Sequence, residues 1–409
     1  MEIRPILSTL MRNKTGALLV AIQIALSLAI LANALFVVAT RLALMDRPSG
    51  VRAEQELFYL RQRPLEKLGF AERMLANKTE AATLRAVPGV QAVALLNQAP
   101  LGRSGSYVGI ATRRGQGDEG SVAAYYQSPD ALLPTLGLTL LEGRDFGPAD
   151  VQEIDPDTSA ERPHGVIVTR ALAEALFPGA ASVVGKTIYF GSEADADDSR
   201  IIGVIERLQT PAAALGAEGE MALIAASNPS YGGMYAIRAA PGASDQVMRD
   251  ADAALRKGAR GPVITRMQTM QQDRRERYRT DRALAWMLVA VSALLLLVTA
   301  SGVVGIASLW VTQRRRQIGV RRALGARKID IMRYFLTENL LITSAGIGAG
   351  LLLALALNQL LVSQLDMQRL SPAYPALGAI LFWLLGLVAV YGPAWRAASI
   401  APASATRGG

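Results

Sequence analysis

The 409 residues contain one histidine and no cysteine, which removes thiol nucleophiles, cysteine-ligated zinc and disulfides from consideration. His164 stands between Pro163 and Gly165 with no partner spaced for nucleophilic or metal chemistry, so it reads as a turn residue. Two other stretches have ligand-like spacing. Gly179 to Thr187, GAASVVGKT, is close to a phosphate-wrapping loop, but that loop needs glycine five residues before Gly185, where Ala180 stands. Asp195, Asp197, Ser199 and Glu206 fall at positions 1, 3, 5 and 12 of a calcium loop, yet Arg200 occupies the turn position that takes glycine and Ile201 to Ile205 has the look of a strand. A solvated acidic turn is the expectation there. No catalytic or metal-binding constellation is left, and the chain is expected not to be an enzyme.

The elements that carry the remaining polar residues are unusual. Apolar residues make up 51% of the chain and charged residues 19%, which excludes a disordered chain and points away from a purely water-soluble one. Four stretches, 17–39, 283–311, 339–363 and 373–395, are free of charge for long enough to cross about 30 Å of hydrocarbon. The first follows Arg4, Arg12 and Lys14 and contains Ala32-Asn33-Ala34, a small-x-small form found at signal cleavage sites. Its apolar run continues through Leu35 to Val38, longer than a signal core, so a retained helix is expected.

Basic and acidic residues number 3 and 1 in 1–40, 29 and 30 in 41–282, and 11 and 3 in 283–409. The net +9 is therefore no sign of a nucleic-acid binder. It sits at the N-terminus and in 312–338, which holds Arg314, Arg315, Arg316, Arg321, Arg322, Arg327, Lys328 and Arg333, and the positive-inside rule turns these toward the cytoplasm. Arg274, Arg275, Arg277, Arg279 and Arg282 flank the second span on the other side, where long translocated domains tolerate charge. The topology predicted is a cytoplasmic N-terminus (1–16), an outer segment (41–282), a cytoplasmic loop (312–338), a short outer loop near Asp366 to Pro372 and a cytoplasmic C-terminus (396–409).

At 242 residues the outer segment is long enough to bury its own core. Residues 55–97 and 234–268 each read strand, helix, strand, the second helix placing Val247, Ala251, Ala254 and Leu255 on one face. Together they predict an α/β layer built from both ends of the segment, about 55–104 and 226–268. Between them 105–225 holds short apolar runs at Val122 to Tyr126, Thr187 to Phe190, Ile201 to Ile205 and Met221 to Ile224, a β-rich insertion. No Gly or Pro follows Met267 until Gly302, so a continuous helix is expected to rise from 269–282 as a stalk of about 20 Å. Within the spans, Gly346-x-x-x-Gly350 and Ser344-x-x-x-Gly348 permit close helix packing, inside one subunit or between two. Gln23, Asn33, Asn358 and Gln359 are expected to face protein.

The basic loop carries more than a topology signal. In QRRRQIGVRRALGAR, 313–327, a short helix over 317–324 with Gly325 as its stop places Ile318, Arg321, Arg322 and Leu324 as apolar knobs and cations for a cytoplasmic partner, whereas lipid attraction alone needs only the cations. These residues resemble the permease subunits of ABC transporters of the MacB and FtsX kind. The similar motifs are MRNKTGALL at 11–19, LGLTLLEGRDF at 136–146, VIVTRALAEALFPG at 166–179, VGKTI at 184–188, IGVRRALGA at 318–326, FLTENLLITSAGIGAG at 335–350 and PAWRAASIAP at 393–402. They cover nearly the whole chain in the expected order.

The resemblance implies a four-helix membrane fold with a large α/β extracytoplasmic domain made of a porter-like part and a β-rich insertion, working as a dimer in the bacterial inner membrane. It makes 312–338 a coupling loop, with Arg314, Ile318, Arg321, Arg322, Leu324, Gly325 and Ala326 meeting a cytoplasmic ABC ATPase dimer, and Gly346 and Gly350 as packing or dimer positions. The chain itself is expected to need no cofactor, ATP and Mg belonging to the separate ATPase, since this sequence opens on a membrane helix. Partners implied are that ATPase, a second permease in a homodimer or heterodimer, membrane lipid and an outer adaptor. The chain departs from the family in carrying Gln317 and Gln313 where Glu is frequent, which removes one salt link. A receptor relaying an outer ligand to a cytoplasmic partner is the other class, but the cytoplasmic segments, each under about 30 residues, are too short for an output domain. A membrane-bound enzyme lacks its nucleophile and base.

Overall fold

The computed structural model describes residues 14–64, 68–116, 120–159, 161–191, 193, 195–229, 233–258, 263–365 and 369–399. Residues 1–13 and 400–409, most of the predicted cytoplasmic tails (1–16 and 396–409), and 366–368 of the short outer loop lie outside these residues. The chain divides into two units: Met1–Met45 with Thr280–Gly409, and Asp46–Arg279. Helix α1, Lys14–Met45, opens the first.

The second unit begins with β1, Leu57–Pro64, followed by α2, Phe70–Arg85, and β2, Val90–Leu96. Seven strands then make the insertion: β3 (Tyr107–Ala111), β4 (Ser121–Gln127), β5 (Leu140–Gly143) after the short α3 (Leu132–Leu136), β6 (Gly165–Thr169) leading into α4 (Arg170–Leu176), β7 (Thr187–Phe190), β8 (Asp197–Ile205) and β9 (Ala222–Ala225). The chain returns through β10 (Met234–Ala239), α5 (Ser244–Gly258) and β11 (Val263–Thr269).

Strands from the two ends of the segment interleave in one antiparallel sheet, β11-β1-β10-β2. Two strand–helix–strand units in this order form a ferredoxin-like layer. Alternation sends Phe58 and Leu60 of β1 and Tyr235 and Ile237 of β10 to the helix-covered face, where they meet Ala81 and Leu84 of α2 and Val247, Ala251 and Leu255 of α5. Those three α5 positions recur every fourth residue, as a helix burying one stripe requires.

In the insertion the sheet runs β5-β8-β6-β9-β4-β3-β7, and β7 pairs β8 as well, from Thr187↔Arg200 to Phe190↔Asp197. Six strands thus close on themselves, with β5 an extra strand along β8. Closure removes strand edges and encloses Ile110, Tyr125, Val166, Val168, Ile188, Phe190, Ile201 and Leu223. Short side-chain bonds tie barrel to sheet: the Asp130 carboxylate accepts from Arg85 and from the Leu95 amide at 2.5 and 2.8 Å, and Asn97 donates to the Tyr125 carbonyl at 2.7 Å.

The helix expected beyond Met267 forms from Met270 to Gln313 with one break, at Tyr278. The strand runs to Thr269, whose hydroxyl accepts from the Gln272 amide at 3.2 Å while Gln272 accepts from the Thr269 amide at 2.9 Å. This reciprocal cap starts α6, Met270–Arg277, and Tyr278, 1% exposed with φ −95° and ψ 12°, interrupts the helix before α7, Arg279–Gln313. Absence of Gly and Pro favours a continuous helix but does not exclude a cap or a break pinned by a buried ring.

In the first unit α7, α8 (Arg315–Ala323), α9 (Lys328–Leu365) and α10 (Ala373–Ala398) follow in order. Helices α1, α7, α9 and α10 are each long and apolar enough to cross a membrane. Gly346 and Gly350 of α9 bring it against α1: a Cβ at Gly346 would stand 2.9 Å from the Ala21 carbonyl oxygen, and one at Gly350 3.0 Å from Ala25 Cα and Leu28 Cβ. This glycine face is therefore filled within the subunit, the first of the two readings its spacing allowed. Ser27 and Thr299 share a 2.9 Å hydroxyl bond between α1 and α7. Asn33 donates to the Ala354 carbonyl at 3.1 Å, Gln23 to that of Val298 at 3.2 Å, and Asn358 accepts from the Leu370 amide at 2.9 Å. Gln359, expected to face protein, is exposed.

Candidate functional site

The basic segment between α7 and α9 is helical over Arg315–Ala323, and its end has a specific geometry. The Gly325 amide donates to the Arg322 carbonyl at 3.2 Å and the Ala326 amide to that of Arg321 at 3.1 Å. Gly325 takes φ +97°. The paired bonds and left-handed residue are a Schellman stop, which favours glycine because a side chain strains that backbone. The Asp330 carboxylate then accepts from the Arg327 amide at 3.0 Å and opens α9.

The side chains of α8 divide into two sets. Ile318, 5% exposed, enters the apolar core formed by Ile331 and Phe335 of α9 and Val390, Ala394 and Ala397 of α10. Ala326 packs against the same core. Arg314, immediately ahead of α8, is turned inward: one guanidinium nitrogen lies 2.9 and 2.7 Å from the two Glu338 oxygens, with side chains 12% and 1% exposed. Its guanidinium also lies 5.8 Å from the Trp310 ring centre. A buried pair of this kind holds two elements together because separating its members strands a charge in a low-dielectric site.

The second set points away. Leu324 is 83% exposed and Val320 48%. Arg315, Arg316, Gln317 and Arg327 are exposed around them. Arg321 is exposed but leans over the Tyr334 ring, 5.2 Å from its centre, and Arg322 donates to the Ala326 carbonyl at 3.3 Å. The residues singled out by sequence are thus brought onto one short helix, where Ile318 and Arg314 anchor, Gly325 and Ala326 terminate, and Leu324 projects. Sequence reasoning missed Glu338, Trp310, Tyr334 and Val320. Glu338 had a signal, an acid at the edge of an apolar stretch across from eight cations in 312–338, but nothing in spacing said which cation it meets.

The remaining sequence candidates have plain structural roles. Asp197 and Ser199 belong to β8, where the Ser199 hydroxyl donates to the Pro163 carbonyl, so no chelating turn forms. The segment with the false phosphate loop runs into β7, and the Gly185 amide donates to Ile201 at 2.7 Å. His164 is exposed and its amide donates to Gln152 at 2.7 Å. Of the outer arginines, Arg274 grips Glu54 at 2.6 and 3.0 Å and Arg277 donates to the Ala212 carbonyl. Two of these five charges are therefore taken up by the outer unit's own fold.

Comparisons with known proteins agree with this division. The MacB-like periplasmic core domain matches residues 19–254 and the FtsX-like permease C-terminal domain residues 289–402. The pyoverdine export ATP-binding/permease protein PvdT of Pseudomonas syringae is 38% identical over 128 residues, 31% of this chain and 19% of that protein. The macrolide export ATP-binding/permease protein MacB of Bradyrhizobium diazoefficiens is 39% identical over 125 residues, 30% and 19% of the two chains. MacB of Acinetobacter baylyi is 25% identical over 284 residues, 66% of this chain and 40% of that one. The match thus spans about a fifth to two-fifths of these relatives' length. Among solved structures, the extracellular domain of the ABC-type transporter YknZ from Gram-positive bacteria aligns at 16% identity and TM-score 0.32, over 51% of this chain and 99% of that one. With a periplasmic core match over more than half its length and the permease match behind it, the chain belongs to the MacB/FtsX-like family of ABC transporter permeases.

Proposed function

We propose that this permease is driven by a separate cytoplasmic ATPase that grips α8, and that it transmits the resulting movement to its extracytoplasmic domain rather than passing cargo through a pore. The carrying observation is the division of α8 into an anchored face and a projecting one. Leu324 and Val320 offer apolar contact, the exposed arginines offer complementarity to an acidic groove, and Ile318 with the Arg314–Glu338 pair ties whatever moves α8 to α7 and α9. A helix held this way acts as a handle.

The working unit is two permease chains with two ATPase subunits, ATP and Mg bound by the latter, in the bacterial inner membrane with both termini cytoplasmic. Charge placement supports this orientation. The activity driven in this way is export or extraction of cargo, and the relatives' names, which speak of export, support the first.

The test is co-purification of ATPase subunits with the full chain from native membranes, repeated with Leu324→Asp. A carboxylate at the projecting apolar tip is expected to reduce recovered ATPase about tenfold, the effect of roughly 1.4 kcal/mol, while the chain stays inserted. Undiminished recovery with the variant, or transport by the purified chain with no ATPase present, overturns the coupling role.

A further inference from the structure

The four-stranded sheet has two edges, and they differ. Beyond β2, the Leu95 amide is held by Asp130 and the Asn97 amide by the Gln127 carbonyl. Beyond β11 no strand pairs among the described residues. Exposed edges are ordinarily blunted by a bulge, a proline, a charged side chain, extreme shortness or a covering segment. Strand β11 has only the charge, Arg266: it pairs β1 in unbroken register over seven positions, Phe58↔Thr269 to Pro64↔Val263, and contains no proline, so against a partner that carries the opposite charge its edge is open.

The side chains beside this edge carry an unbalanced charge. Arg61 and Arg266 are directly opposed in the register, which sets their Cβ atoms about 5 Å apart and makes two like charges destabilise the pair. Both are exposed, and neither enters a hydrogen bond or ion pair among the described residues. Asp273, whose carboxylate both arginines stabilise, is 5% exposed and bonds to neither. Glu276 lies 4.0 Å from Arg103 instead. Two residues from Arg266, on the same face by strand alternation, Ile264 is 57% exposed.

We propose that the free edge of β11 receives an extended acidic segment of a partner polypeptide as a fifth strand, with a carboxylate set against Arg61 and Arg266 and an apolar side chain against Ile264. An antiparallel newcomer meets Arg266 two residues before it meets Ile264, so the recognised pattern is acidic-x-apolar. Backbone pairing supplies affinity and these two positions supply selectivity. A second copy of the chain is the wrong occupant, because a two-fold pairing of β11 with itself at full overlap sets Arg266 against Arg266. A lipid headgroup or free anion satisfies the charge but leaves the strand edge unused. The surface is separate from α8, so its failure and that of the coupling role are told apart by different measurements.

The experiment uses the full chain in detergent micelles and two short fluorescent peptides, one centred on Glu-Thr-Val and one on Lys-Thr-Val. The Glu peptide is expected to bind at least about tenfold tighter and to slow amide hydrogen exchange in 263–269, since like-charge juxtaposition at an interface is costly. Arg266→Glu should reverse the preference, and Ile264→Lys should weaken the Glu peptide about tenfold in a chain whose thermal unfolding is unchanged. Equal binding of the two peptides overturns the proposal. So does displacement by millimolar inorganic phosphate with no exchange protection in β11, which reveals a simple anion site.

Discussion

At the scale of single residues, the Arg314–Glu338 pair carries the most consequence. Removing one member of a buried pair leaves the other uncompensated, at a cost of about 3–5 kcal/mol, whereas replacing both with apolar groups of similar volume is often near neutral. Glu338→Gln is therefore expected to lower thermal stability in micelles more than Arg314→Met with Glu338→Met does. The coupling reading adds that the double variant, though folded, loses much of its ATP-driven transport, because only the Ile318 and Ala326 packing still ties α8 to α9. Normal transport by a folded double variant would reduce the pair to a packing feature. In the outer unit, burial pushes the Asp273 carboxyl up to about 6, helped by the negative charge of Glu276 and opposed by Arg266 and Arg61. With an unfolded value near 3.9, the folded state holds the proton more tightly between about pH 4 and pH 6. This group's contribution then falls as pH rises through that window. Unfolding followed at pH 4.5 and 6.5 should show that loss in the natural chain and a smaller one in Asp273→Asn.

At the scale of elements, α8 depends on how it stops. Gly325→Ala places a Cβ at φ +97°, costing about 1–2 kcal/mol of backbone strain, with no neighbouring atom within 4 Å to clash. The expected outcome is a frayed Schellman turn and weaker ATPase recovery without loss of the membrane fold, read by exchange of the Gly325 and Ala326 amides. Gly350→Leu acts differently, driving a side chain into Ala25 and Leu28. It should destabilise the α1–α9 contact in a lone subunit, so reduced cross-linking between subunits would follow from misfolding and not from a lost interface. These elements also show what a sequence exposes. Charge-free runs and the four-residue stripe of Val247, Ala251 and Leu255 declare spans and an amphipathic helix because water and hydrocarbon impose them locally. The Gly325 stop was equally plain. What stayed hidden depends on distant partners: which helix fills the Gly346–Gly350 face, that β7 returns to β8 and closes the barrel, and that Glu338 seeks Arg314. The helix beyond Met267 was legible, but its start at the Thr269–Gln272 cap and its break at Tyr278 were not, since a scan for Gly and Pro passes over both.

At the scale of the whole molecule, the distribution of charge becomes an orientation. The outer segment is nearly neutral, with 29 basic and 30 acidic residues. Arg274 and Arg277 are spent on Glu54 and Ala212 within that unit, so the arginines ahead of α7 oppose the positive-inside rule less than their number implies. Arg315, Arg316, Arg321 and Arg327 remain exposed, and in the proposed orientation they face the cytoplasm. The absence of cysteine permits a direct check. Leu324→Cys and Ile264→Cys both place a thiol on an exposed position, 83% and 57% in the natural side chains. A membrane-impermeant maleimide added to the outer face of spheroplasts is expected to label Ile264→Cys and spare Leu324→Cys, with the pattern reversed in inside-out vesicles. In those vesicles the ATPase, when bound, should shield Leu324→Cys. Labelling of Leu324→Cys from the outer face would invert the topology, and with it α8 would lose any access to a cytoplasmic motor.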